Sequence, residues 1–206
     1  MVEWSIDAFR ACDSVHSIVV AAPPGHVGDL GGHDLGVVAG GETRADSVAN
    51  ALAAVGTEYV AIHDAARPLL TPELVEALVA DLDAAPKAAG VIAAAPVTDT
   101  VKRATTCSLS ADSNEKEQTK IVATEDRAEL WTAQTPQVFR TEALRAAFAA
   151  AERSREATDE AMLVEWDGGT VLIHPVAEQN LKVTTPLDLR VVELLLAERA
   201  QGAPGA

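Results

Sequence analysis

The sequence is poor in cysteine, in aromatic residues and in positive charge. Its two cysteines, Cys12 and Cys107, are too few and too far apart for a disulfide framework or a zinc site, so we expect free thiols in a reducing compartment. Aromatic residues make up only 3% of the chain, which argues against a stacking platform for single-stranded nucleic acid. The formal net charge of −15 disfavours nonspecific binding to nucleic acid or to an anionic membrane.

Long apolar runs are also missing. No stretch approaches the length of a membrane span and no signal peptide opens the chain, so we expect a cytoplasmic protein. The 206 residues suit a single domain, residues 1–206, and 48% of them are hydrophobic, which is enough for a sizeable core. The acidic balance does not exclude an anionic small ligand, because a local cluster of Arg and Lys can reverse the field inside a cleft.

Short apolar runs alternate with segments of helical periodicity along the chain. The runs at 17–22, 35–39, 58–62, 90–97 and 171–175 predict buried strands, and 1–12, 43–55, 71–82, 141–154 and 185–199 predict helices. This alternation indicates an α/β fold, with a parallel or mixed sheet flanked by helices.

The segment Ala61–Pro68 contains the strongest candidates for ligand-binding residues. A short apolar run ends there at His63, Asp64 and Arg67, and ligands bind at the carboxyl ends of strands in open parallel sheets. We therefore predict that Asp64 holds a metal or a ribose and that Arg67 holds a phosphate. The alternative is a plain ion pair at a strand end.

A glycine turn precedes a predicted helix at residues 40–48. Gly40 and Gly41 allow a close approach of backbone to a ligand, and Arg44 and Ser47 are three residues apart, so both can face that ligand from the first helical turn. The alternative is an ordinary turn followed by a solvated arginine.

Residues 99–127 depart from this alternation. Two extended arms, 99–105 and 120–124, flank a polar tip, and a lone hairpin of this kind is only marginally stable. We predict a protruding β-arm that packs on a second subunit. The alternative is a flexible surface loop.

Five cations and four hydroxyls lie with the Asp64 carboxylate at predicted strand ends and helix starts across the chain. They are Arg44, Ser47, Arg67, Thr100, Lys102, Arg127, Thr135, Thr158 and Lys182. Such a set favours a polyanionic ligand that carries hydroxyls, and phosphoryl or nucleotidyl transfer relies on positioning and charge neutralisation. No nucleophile elbow is visible, and we interpret His63 as structural.

Six ordered motifs resemble the 2-C-methyl-D-erythritol 4-phosphate cytidylyltransferase family of the non-mevalonate isoprenoid pathway. They are Gly40-Gly41-x-x-Arg44-x-x-Ser47-Val48, His63-Asp64-Ala65-Ala66-Arg67-Pro68, Asp99-Thr100-x-Lys102, Leu130-Trp131-x-x-Gln134-Thr135-Pro136-Gln137, Thr158-Asp159-Glu160 and Lys182-Val183-Thr184-x-Pro186-x-Asp188-Leu189. The resemblance implies a Rossmann-like, GT-A-like nucleotidyltransferase fold and a homodimer formed through the 99–127 arm.

The resemblance also implies roles for individual residues. Gly41, Arg44, Ser47, Asp64 and Ala65 would bind CTP; Thr100, Arg127, Thr135, Thr158 and Lys182 would bind methylerythritol phosphate; Asp64, Arg67 and Lys182 would be catalytic. Asp64 would also hold Mg²⁺. Arg127 would reach the substrate phosphate of the partner subunit.

One departure from the family concerns the triphosphate. The family opens with a strand and a glycine-rich loop carrying arginine and then lysine, and this chain begins in the helix that follows them. We therefore expect a gap in the sheet, and we expect residues 1–206 alone to be poorly active, poorly folded, or both. Losing one such donor costs roughly 10²–10³ in rate. Two rival hypotheses are a related ribitol 5-phosphate cytidylyltransferase and a non-catalytic remnant that only binds a partner or ligand.

Overall fold

The structure is a computed structural model that describes residues 1–30, 35–108, 117–151, 157–176 and 180–201. Residues 31–34, part of the polar tip of the predicted arm and the end of the predicted helix at 141–154 lie outside these residues. The helices are α1 (Val2–Arg10), α2 (Arg44–Leu52), α3 (Pro72–Ala84), α4 (Thr141–Ala150), α5 (Glu160–Trp166) and α6 (Pro186–Ala200). The strands are β1 (Ile18–Ala22), β2 (Leu35–Ala39), β3 (Tyr59–Ile62), β4 (Gly90–Pro96), β5 (Lys102–Ser108), β6 (Glu117–Thr124), β7 (Trp131–Arg140) and β8 (Val171–Pro175).

The main sheet is mixed and has the strand order β3-β7-β4-β8. Strand β7 runs antiparallel to β3 and β4, and β8 runs parallel to β4. Helices cover both faces, because neighbouring residues of β4 enter different clusters. Val91 packs with Leu78 and Leu82 of α3, whereas Ile92 packs with Leu144 of α4. The predicted α/β architecture is therefore confirmed.

Local sequence sets the helix starts as expected. The Thr71 hydroxyl accepts the Leu74 N–H, and Pro72 occupies the first turn of α3. The buried face of α3 is Val75, Leu78 and Leu82. Within the part of the chain that the structure describes, no helix has both the length and the apolar composition needed to cross a membrane.

Among the described residues, β1 and β2 lie outside the main sheet. Strand β1 pairs in parallel with β2 as a separate two-stranded sheet, and no ladder joins either of them to β3. A cavity of about 710 Å³ is lined by residues of both β1 and β3, together with Val2, Ile6 and Phe9 of α1. Several of the site residues described below line the same cavity.

The region of the predicted arm contains a β-hairpin. Strands β5 and β6 form an antiparallel hairpin from the Lys102–Thr124 pair to the Ser108–Glu117 pair. In the chain order this hairpin stands between β4 and β7, and it is a separate sheet from theirs. Ile121 and Val122 of β6 are 58% and 54% exposed, so the arm presents aliphatic surface that the described part of the chain leaves open.

Candidate active site

Asp64 is the centre of the site. It lies two residues beyond β3, and its side chain is 14% exposed. Its backbone N–H donates to the Thr135 hydroxyl of β7 at 3.0 Å, which fixes the chain direction after the strand. The carboxylate therefore sits at the end of β3, as the sequence predicts.

Three basic side chains surround the Asp64 carboxylate. Lys182 Nζ lies 2.9 Å from Oδ2, and Arg44 Nε donates to Oδ1 at 3.1 Å. Arg67 Nε lies 3.8 Å from Oδ2, which makes an ion pair without a hydrogen bond. Burial alone would raise the pKa of Asp64, but the hydrogen bonds and charges of Lys182 and Arg44 outweigh it and hold the pKa below its ordinary value.

Residues 180–183, which are distant from Asp64 in the sequence, contribute Lys182 and hold Arg67 in place. Arg67 Nη1 donates to the Asn180 carbonyl at 2.7 Å, and Asn180 Nδ2 donates to the Thr135 carbonyl at 2.7 Å. The Val183 N–H donates to the Ala66 carbonyl at 2.8 Å. Residues 180–183 are thereby tied to the loop after β3, and residues 181–184 form no strand.

The glycine turn is tightly closed against α2. The Gly41 N–H donates to Ser47 Oγ at 3.0 Å, and Ser47 Oγ donates to the Thr43 carbonyl at 2.9 Å. A Cβ on residue 41 would lie 2.1 Å from the Asp46 Cβ, so only glycine fits there. The carboxylate of Asp46 in turn accepts the Thr43 N–H as part of a capping box.

His63 stabilises the loop after β3 through both of its ring nitrogens. His63 Nε2 lies 3.1 Å from the Arg67 carbonyl, which can only accept, so Nε2 carries the proton of the neutral ring and donates to it. Nδ1 is then the acceptor, and Thr135 Oγ1, which accepts the Asp64 N–H, donates its hydrogen to Nδ1 at 3.1 Å. Burial lowers the pKa of His63 to about 4, in agreement with this neutral form. The structural interpretation of His63 fits these contacts.

The structure brings together only part of the predicted set. One cavity is lined by Arg44, Ser47, Asp64, Ala65 and Lys182. Thr135 is buried at 4% exposure, and its hydroxyl is used by Asp64 and His63. The remaining predicted substrate residues are exposed and are outside this lining: Thr100, Arg127 and Thr158. Arg127 Nη1 donates to the Thr98 carbonyl of its own chain.

Comparison with known proteins decides the family. A sequence profile of 2-C-methyl-D-erythritol 4-phosphate cytidylyltransferase matches residues 1–198. The chain belongs to this cytidylyltransferase family.

Individual relatives agree with this assignment. A bifunctional enzyme IspD/IspF of Anaeromyxobacter sp. (strain Fw109-5) is 45% identical over 205 residues, which cover 95% of this chain and 50% of that protein. A 2-C-methyl-D-erythritol 4-phosphate cytidylyltransferase of Frankia casuarinae is 42% identical over 203 residues, 96% of this chain and 70% of the relative. The chain thus spans about half the length of the Anaeromyxobacter bifunctional enzymes that it matches.

A solved structure supports the fold of the cytidylyltransferase family. The crystal structure of 2-C-methyl-D-erythritol 4-phosphate cytidylyltransferase from Thermus thermophilus superposes with a TM-score of 0.76 at 32% identity. The superposition covers 95% of this chain and 88% of the Thermus chain. The predicted nucleotidyltransferase fold is therefore confirmed.

The sequence analysis did not identify two residues that organise this site. Glu160 is 1% exposed and accepts two hydrogen bonds from Arg44 Nη1, at 2.6 and 2.9 Å. Asn180 is 6% exposed and links Arg67 to Thr135. Glu160 lies inside the motif that begins at Thr158 but resembles an ordinary helix-start acid. Nothing in the local sequence marks Asn180.

The His63 network predicts a pH dependence of stability. Because the folded pKa of about 4 lies below the ordinary value of 6.5, the unfolded state binds the extra proton between these values. Stability from this group is complete above pH 6.5 and is lost as the pH falls towards 4, by at most roughly 3–4 kcal/mol at about 1.4 kcal/mol per pKa unit. Urea unfolding of His63→Gln should show a smaller drop from about pH 7 to about pH 4.5 than the unsubstituted chain.

The control is His16→Gln, which removes an exposed histidine. If His63→Gln and the unsubstituted chain lose the same stability over this interval, His63 is not the group that titrates.

Proposed function

We propose that the protein transfers CMP from CTP to 2-C-methyl-D-erythritol 4-phosphate, giving 4-diphosphocytidyl-2-C-methyl-D-erythritol and pyrophosphate. A phosphate oxygen of the polyol attacks the α-phosphorus of CTP, and the bond from that phosphorus to the pyrophosphate oxygen breaks. The observation that carries the proposal is the Asp64 carboxylate ringed by Arg44, Arg67 and Lys182 in a chain of this family. Fixed charges of this kind stabilise charge that develops on transferring phosphoryl groups.

The nucleotide side of the site is assigned to the α2 turn. Gly41 and Ser47 would meet the pyrimidine ring with backbone and hydroxyl groups, and Arg44 stands between that turn and Asp64. We assign the ribose to Asp64 and Ala65, which line the same cavity as Ser47.

The polyol side is assigned to Lys182, Thr100, Thr158, Thr135 and the Arg127 of a partner subunit. Within this set, Lys182 contacts the Asp64 carboxylate, with Nζ 2.9 Å from Oδ2. For Thr135 we add a positioning role, since its hydroxyl holds the Asp64 backbone.

Mg²⁺ fits this chemistry through Asp64. Mg²⁺ favours oxygen ligands and is commonly held by one or two protein carboxylates together with substrate phosphates. Asp64 supplies one such carboxylate, and among the described residues no group of three or more His, Cys, Asp or Glu side chains forms a protein-only metal site. The metal would neutralise phosphate charge, and Arg44 and Lys182 would give up part of their contact with Asp64.

Pyrophosphate release tests the proposal. We would assay CTP and Mg²⁺ with methylerythritol phosphate or ribitol 5-phosphate, using residues 1–206 and an extended chimera. The chimera carries the family's first strand and glycine-rich loop ahead of Met1. We expect turnover with methylerythritol phosphate, fastest in the chimera.

Other outcomes have distinct meanings. Faster turnover of ribitol 5-phosphate would identify it as the preferred polyol phosphate and would leave the proposed reaction, cytidylyl transfer, unchanged. Equal rates for both forms would show that the added loop is dispensable. No turnover by two folded proteins would favour the non-catalytic remnant and overturn the proposal.

We further propose a homodimer formed through the 99–127 arm, located in the cytoplasm. The exposed Ile121 and Val122 support the dimer.

Ile121→Glu should raise the dissociation constant of the dimer, measured by analytical sedimentation, by at least about tenfold. The reason is that burying an unpaired charge costs several kcal/mol. Leu194→Glu is the control, since it changes an aliphatic residue that is 60% exposed on α6. Equal dissociation of the two variants would argue against an arm-mediated dimer.

A further inference from the structure

Glu160 is a buried carboxylate to which the proposed reaction assigns no role. It is the first residue of α5 and is 1% exposed. Burial raises its pKa, and the Arg44 charge opposes this effect. A carboxylate in such a position needs its partner, because removing one member of a buried pair is strongly destabilising.

The partner of Glu160 also touches the centre of the site. Arg44 Nη1 donates to both Glu160 oxygens, at 2.6 and 2.9 Å, while Arg44 Nε donates to Asp64 Oδ1 at 3.1 Å. One guanidinium therefore bridges two carboxylates that belong to different parts of the chain.

The geometry limits what Arg44 can do at Asp64. A free arginine pairs with a carboxylate through two parallel N–H groups, which is the strongest arrangement. A two-point pair with Asp64 that includes Nε would also use Nη2. With Nη1 held by both Glu160 oxygens, the structure shows one hydrogen bond from Arg44 to Asp64, donated by Nε. Asp64 Oδ1 thus has one arginine contact, while Oδ2 faces Lys182.

We propose that Glu160 is a positioning residue that restrains Arg44, so that Arg44 orders the nucleotide side without closing over the Asp64 carboxylate. This inference rests on the proposed function. It predicts that Glu160→Gln releases Arg44 into a two-point pair with Asp64. That pair competes with ribose and metal, so nucleotide binding weakens while the polyol side is unaffected.

The first test is calorimetric titration of residues 1–206 with CMP and Mg²⁺, which does not depend on the triphosphate or on turnover. We expect Glu160→Gln to raise the CMP dissociation constant by about 10-fold to 100-fold, the usual cost of losing a partner that orients a binding group. Glu165→Gln, on the same helix and exposed, is the matched control and should bind normally.

The second test asks whether the effect passes through Arg44. In an Arg44→Gln background, Glu160→Gln should cause no further loss of CMP affinity. In steady-state assays of the extended chimera, Glu160→Gln should raise the KM for CTP and leave the KM for the polyol phosphate unchanged. If Glu160 has only a general structural role, Glu160→Gln should change the KM for both substrates and should still weaken CMP binding in the Arg44→Gln background. Either result overturns the inference.

A second variant covers the case in which Glu160→Gln does not fold. Glu160→Asp keeps the charge but withdraws it by one methylene, and a wild-type CMP affinity in that variant would contradict the inference. If the unsubstituted chain binds no CMP at all, the proposed function fails first. If it binds CMP and Glu160→Gln binds equally well, the Glu160 inference alone is wrong.

Discussion

Replacing Asp64 with asparagine is expected to lower kcat/KM for cytidylyl transfer by roughly 10²–10³. The substitution keeps the shape of the side chain and removes its charge. Lys182, Arg44 and Arg67 then face one another without the carboxylate that balances them. The same change removes the proposed oxygen ligand for ribose and metal. Pyrophosphate release, measured in the extended chimera, gives the rate.

The matched control is Asp81→Asn. Asp81 also pairs with a basic side chain, His174 Nδ1 at 2.7 Å, but it is half-exposed and does not line the site cavity. We expect Asp81→Asn to retain activity within about threefold, since surface substitutions away from a site have small effects. Thermal unfolding of both variants separates a lost rate from a lost fold. A folded Asp64→Asn protein with an unchanged rate would remove Asp64 from the centre of the mechanism.

Gly41→Ala is expected to raise the KM for CTP by about 100-fold, with a smaller effect on the KM for the polyol phosphate. The added Cβ would lie 2.1 Å from the Asp46 Cβ, and its other close neighbours are backbone atoms of Asp46, which cannot rotate away. The turn must therefore open, which displaces the Gly41 N–H from Ser47 Oγ. A displacement of about 1 Å in a positioning group can cost about 10²-fold.

Gly28→Ala is the control for this substitution, since its added Cβ would meet no atom within 4 Å. Initial rates at varied CTP should leave Gly28→Ala unchanged. If Gly41→Ala also keeps the normal KM for CTP, the α2 turn does not form the nucleotide side.

Much of the fold could be predicted because it depends on local pattern. The apolar runs predicted β1 to β4 and β8 within a few residues, and Thr71 with Pro72 marked the start of α3. The hairpin of β5 and β6 followed from the two extended arms around a polar tip. Because the apolar run of β3 stops just before Asp64, the sequence also predicted that Asp64 lies at the carboxyl end of that strand.

The contacts that organise the site could not be predicted in this way. Arg44 and Glu160 are 116 residues apart, and Arg67 and Asn180 are 113 apart, so only the folded chain shows that they meet. Thr135 illustrates a second limit. Its sequence position predicted a substrate contact, while its hydroxyl in the structure already serves Asp64 and His63; the substrate contact stays a prediction.

The most direct test of the central claim is the identity of the product. We would incubate the extended chimera with CTP, Mg²⁺ and methylerythritol phosphate and follow the reaction by ³¹P NMR. We expect one new diphosphate diester, with two mutually coupled phosphorus signals, formed in equal amount with pyrophosphate. Formation of CMP and pyrophosphate without that diester, or no consumption of CTP by a folded protein, would contradict it.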